Sequence, residues 1–97
     1  MYYLVSNTAE LNEAVATLQR LGFEKSKYTA EKEDAKAIAT FISENEKHYM
    51  FLSEDMMTDN PYTSWIMNRK QVFSLSELVK GVMDTIYFFL EKKYAEN

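Results

Sequence analysis

The chain is expected to fold as a small α+β domain: a small antiparallel sheet, in the order strand, helix, hairpin, strand, helix, with two helices packed on it. Three observations predict this. Residues 8–21 and 74–94 carry apolar side chains at helical spacing, and each stretch has a capping residue at its start. Between them, residues 37–43 (AIATFIS) and 48–53 (HYMFLS) form two apolar runs around Glu44, Asn45, Glu46 and Lys47, the pattern of a hairpin. The 97 residues contain no repeat and no low-complexity stretch, so they read as one domain, residues 1–97.

Residues 2–6 (YYLVS) are aromatic and branched and read as a strand. Asn7 opens the first helix with Glu10 as its capping-box partner, and Leu11, Ala14, Val15, Leu18 and Leu21 form its apolar stripe. Gly22 stands where a left-handed residue would end it. Residues 29–36 (TAEKEDAK) lack apolar periodicity and read as a loop with room for a helical turn. The hairpin lacks the glycine of a tight two-residue turn, so a four-residue loop is expected. Its second run has large residues on both faces, Tyr49 and Phe51 on one, Met50 and Leu52 on the other, as in a strand covered on both sides. Asn60-Pro61 is a turn signal. Beyond it, residues 65–67 and 71–73 are expected as one strand or two short ones. The last helix is capped by Ser74 and Glu77 and presents Leu75, Leu78, Val79, Val82, Met83, Ile86, Phe89 and Leu90 to a core. It ends on Lys92 and Lys93, which suit the negative end of the helix dipole.

The net charge is −4, and it is uneven. Residues 31–60 hold eight acids against three lysines, a local balance of −5. Nucleic-acid binding needs basic side chains against phosphates, so no direct nucleic-acid partner is expected. The acidic middle is either a solvated face or a surface for a basic partner. Cysteine is absent, which excludes disulfide and thiolate chemistry. The start, MYYLVSNTAE, has no basic residue and no long apolar core, so it does not read as a secretory signal. No apolar run approaches the ~20 residues of a membrane span. A cytoplasmic protein with no membrane partner is expected.

Catalytic patterns are missing. His48 is the only histidine; with Ser53 and Asp55 it spells a triad on paper, but triads are defined by geometry and it reads as an ordinary hairpin residue. There is no HExxH motif, no cysteine cluster, and no regular oxygen-ligand spacing around Asp55 and Asp59. Two glycines, Gly22 and Gly81, do not make a phosphate loop. The carboxylate pairs Glu44/Glu46 and Glu31/Glu33 lie in polar loops, a poor setting for acid–base work. No catalytic residue, metal or cofactor is expected, and the chain is not read as an enzyme.

Two stretches carry more apolar surface than a small monomer needs. In residues 86–90 (IYFFL), Tyr87 and Phe88 make the helix apolar around nearly a whole turn. Such a helix is buried on more than one side, either by a second subunit in a homodimer or by other segments of the chain. The second stretch holds Met56, Met57, Tyr62 and Trp65 beside Asp55 and a proline turn. Methionine adapts to irregular surfaces, and Tyr and Trp are enriched at interface hot spots. The alternative is that Trp65 and one methionine fold back onto the core.

The leading helix ending in Leu21-Gly22-Phe23, the acidic hairpin, and Val72-Phe73-Ser74-Leu75 with Glu77-Leu78 entering a helix resemble small proteins of tailed bacteriophages. The resemblance spans most of the chain, and its short motifs rest on capping and turn chemistry. It implies a role in binding and inhibiting a host or defence protein, and it assigns no residue a role. The expected function is therefore inhibition by steric occlusion. Met56, Met57, Tyr62 and Trp65 would be apolar anchors, and Glu44, Glu46, Glu54 and Asp55 would orient the complex against a basic surface, such as a nucleic-acid groove. The alternatives are a homo-oligomeric structural protein using Tyr87 and Phe88, and a small-ligand binder.

Overall fold

The computed structural model describes residues 1–58 and 64–95, the Trp65 side chain excepted. Its centre is the hairpin. β3 (Ala37–Ile42) and β4 (Lys47–Leu52) pair antiparallel from Ala37 opposite Leu52 to Ile42 opposite Lys47. The loop between them has the expected length of four residues but is residues 43–46, one position earlier than expected, with Lys47 in β4. The Ser43 N–H donates to the Glu46 carbonyl at 2.9 Å, and the Glu46 N–H donates to Ser43 Oγ at 3.2 Å.

β1 (Tyr2–Leu4) lies antiparallel to β3 on one side. Two strands of two residues each then extend the sheet: β2 (Glu24–Lys25), parallel to β4, and β5 (Gln71–Val72), parallel to β1. The order is β2-β4-β3-β1-β5. The sheet is thus five-stranded and mixed, a correction to the small antiparallel sheet expected from the sequence. The reason is connectivity. β1 and β2 are joined by the helix α1 (Thr8–Arg20), and β4 and β5 by the short helices α2 (Glu54–Met57) and α3 (Ser64–Met67). Such crossovers return the chain parallel to where it left. Residues 65–67, expected as strand, belong to α3; a three-residue apolar run has too little periodicity to tell one helical turn from a strand.

Alternation along the strands sends side chains to two faces. Tyr3, Ile38, Tyr49, Phe51 and Val72 meet Leu11, Ala14, Leu18 and Phe23 and, from the last helix α4 (Leu75–Ala95), Leu78 and Val82. Tyr2, Ala37, Ala39, Met50 and Leu52 point the other way, onto Ile66 of α3, with Met56 and Met57 packed at the edge. β4 is apolar on both faces because helices cover both. The layers are therefore two long helices, the sheet, and two short helices beneath it.

Capping chemistry sets the helix boundaries. Asn7 Oδ1 accepts from the Glu10 N–H at 2.9 Å, and Glu10 Oε2 accepts from the Ser6 N–H at 2.7 Å. Ser74 Oγ and Glu77 Oε2 repeat the arrangement with the Glu77 and Phe73 N–H groups, both at 3.1 Å. At the end of α1, Gly22 has φ +90°, the Phe23 N–H donates to the Leu18 carbonyl, and the Gly22 N–H to that of Gln19. That pair of bonds is a Schellman closure. Lys47 Nζ donates to the remaining Leu21 carbonyl at 2.9 Å and so ties the helix end to the hairpin.

Candidate partner-binding surface

Length decides what α4 exposes. Its 21 residues span about 31 Å, whereas the longest strands have six residues, about 20 Å. Roughly two turns must therefore run past the sheet. Only Leu78 and Val82 of α4 are buried, and nothing beyond Val82 is. Tyr87, Phe88, Leu90 and Tyr94 stand 58%, 62%, 43% and 75% exposed. The Phe88 ring meets Phe89 edge-on at 5.6 Å. Tyr87 and Phe88, singled out from the sequence, are thus in water, about 100° apart around the helix. Leu90, read from its spacing as a core residue, is substantially exposed as well. A count of helix turns against strand length would have found it.

Under this overhang lies a cleft of about 240 Å³, between Ile86, Phe89 and Leu90 on one side and the hairpin from Ile42 to Lys47 on the other. Glu44, Glu46, Lys47 and Lys93 line it as well, two acids and two lysines. The structure brings Glu44 and Glu46 beside the end of α4, and it separates them from the other acids. Glu54 and Asp55 follow the far end of β4, which at six residues is about 20 Å long. There they line a shallow depression with Glu33, Asp34, Lys36 and Ser53. Acids close in sequence are thus held at opposite ends of the hairpin.

The anchors expected from the loop before α3 fare differently from one another. Met56 and Met57 are half-buried against Met50, Leu52 and Ile66. Tyr62 lies outside the described residues. Trp65 is in α3, and its side chain also lies outside them.

A second groove, of about 460 Å³, opens on the sheet face that carries α2 and α3. Phe41, His48 and Met50 line it, with Tyr28 and Arg69 among its walls. His48 Nε2 lies 3.7 Å from Glu46 Oε2. His48 and Ser53 are five residues apart along an extended strand, about 17 Å, so His48, Ser53 and Asp55 do not assemble a triad. Among the described residues no group of three or more His, Asp and Glu side chains is placed to hold a metal ion. No helix among them is long and apolar enough to cross a membrane.

Two groups have displaced proton affinities. The Met1 ammonium is held below its ordinary 8.0 by burial, with the Arg69 charge adding to the effect. The Tyr3 hydroxyl is pushed above 10.0 by burial and then by Glu10 and Glu13 of α1. Neither group lines the cleft or the groove. Comparison of the chain with protein families, with curated proteins and with solved structures finds no match.

Proposed function

We propose that this protein acts by binding another protein, with the overhanging end of α4 as its docking element. The observation that carries this reading is the exposure of Tyr87, Phe88, Leu90 and Tyr94 on more than one side of a helix that outruns its sheet. Large aromatic side chains held on a rigid helix are suited to fill a pocket, because little conformational freedom is lost on docking. The mode is steric occlusion, in which the tip anchors and the sheet and hairpin cover the partner's working surface. Such a protein inhibits without catalysing.

Charge plays a secondary part. Glu44, Glu46 and Glu91 face Lys47, Lys92 and Lys93 in number at this end of the molecule. The division of Glu44 and Glu46 from Glu54 and Asp55 gives no support to nucleic-acid mimicry, which needs a continuous acidic row. Apolar burial dominates, so the complex should persist when salt is raised from ~0.1 to ~0.5 M, where exposed ion pairs are screened. The test is capture of partners from a bacterial lysate by the tagged protein and by a Phe88→Glu variant. A stoichiometric protein held by the first and lost by the second supports the reading. Identical captures by both would refute it.

A further inference from the structure

Along the exposed side of α4, Met83, Tyr87, Leu90 and Tyr94 follow one another at intervals of four, three and four residues. That is the heptad spacing with which one helix meets another, and the core-facing Leu78 and Val82 lie elsewhere on the circumference. We propose that a second copy of this chain covers this seam, α4 against α4 in antiparallel order, so that the protein-binding element proposed above first binds itself.

The pairing is self-complementary. About a two-fold axis between positions 87 and 90, Tyr87 of each copy meets Leu90 of the other, and Met83 meets Tyr94. Every layer then joins one tyrosine to one smaller or more flexible side chain, which gives even volumes and a sulfur–aromatic contact at each end. None of the four seam residues is charged. On one flank Asp84 of each copy then stands near Glu91 of the other, a like-charge contact that Lys80, 3.6 Å from Asp84, offsets in part.

The area is adequate. Taking about 200 Å² for an aromatic side chain and somewhat less for leucine, the exposed fractions of Tyr87, Leu90 and Tyr94 leave roughly 340 Å² per copy in water. Two copies thus have at most about 700 Å² to bury from these residues. Half-buried Met83 and Ile86 and the stem of Glu91 add to this, toward the ~1,000 Å² of a specific contact. A helix laid on Leu90 also shuts the open cleft that Leu90 borders with the hairpin. Phe88, about 130° from the seam centre, stays outside the pair and remains available to a different protein.

Sedimentation over a concentration series tests this. The intact chain should approach twice its 11.4 kDa mass. Tyr87→Glu or Leu90→Glu should weaken association about 100-fold or more, since a charge would be buried in an apolar seam, while Phe88→Glu leaves it intact. Circular dichroism melts confirm that each variant is folded, which their exposed positions favour. Because the chain has no cysteine, Tyr87→Cys and Leu90→Cys chains can be mixed under oxidation. Cross-links between the two variants should outnumber those within either; no such excess would overturn the antiparallel register. A wild type that stays at 11.4 kDa throughout overturns the proposal. If that monomer still captures a protein that Phe88→Glu loses, the protein-binding reading survives the failure of the dimer.

Discussion

Replacing Leu78 by alanine asks how firmly α4 is seated. Leu78 and Val82 are both 0% exposed and are the only buried residues of a 21-residue helix. Leu78 packs into the cluster formed by Tyr3, Leu11, Ile38 and Val72. Truncating a fully buried leucine costs about 2–5 kcal/mol, part transfer and part cavity. A domain of this size is stable by roughly 5–15 kcal/mol, so about a third of a mid-range total is at stake. At about 4–8 °C per kcal/mol, the melting temperature should fall by roughly 8–40 °C. Phe88→Ala removes a larger side chain, but one 62% exposed, and should change stability by no more than about 0.5 kcal/mol. Urea unfolding followed by far-ultraviolet circular dichroism measures both. Equal losses for the two variants would mean that the far end of α4 is packed and not free.

The two glycines should answer alanine differently. At Gly22, φ is +90° and a new Cβ would lie 3.0 Å from Lys47 Nζ, so Gly22→Ala should lose about 1 kcal/mol or more. At Gly81 a Cβ would come within 2.6 Å of the Met1 sulfur, the movable end of a flexible side chain. The gain in helix propensity, about 1 kcal/mol, should offset that crowding, and the melting temperatures of the pair decide the matter. Stability should also depend on pH through the two displaced groups. The Met1 amine titrates below 8.0 in the folded chain, so below 8.0 the unfolded chain binds more protons, and stability rises as pH climbs toward 8.0. Tyr3 titrates above 10.0, so past 10.0 the unfolded chain loses its proton first and stability falls. Urea midpoints should therefore be highest between these values, and a midpoint that drops steadily from pH 7 to 9 would contradict the sign.

Local chemistry was legible in the sequence. Asn7 with Glu10, Ser74 with Glu77, and Gly22 each act through neighbours a few residues away, so their partners are visible in a short window. The two-sided apolar pattern of β4 likewise announced its two covered faces. What escaped depends on distant residues. Glu24 and Lys25 are exposed and charged, and they are strand only because the edge of β4 accepts them. Nothing in Ser64–Met67 marks one helical turn, although Ile66 is buried under the sheet. The candidate surface was legible in half. Tyr87 and Phe88 betrayed themselves by making a helix apolar all round. The acids from Glu44 to Asp55 read as one patch because neighbours in sequence are not neighbours in space once an extended strand, β4, runs between them.

The docking role proposed for α4 rests on its exposed end. Its most direct test is to pass one lysate over the wild-type protein and over Phe88→Glu of matched melting temperature, and to compare what each retains. One partner should be bound in proportion to the wild type, undiminished by salt, and missing from the variant. Retention of the same proteins by both would contradict this and mean that Phe88 anchors no partner.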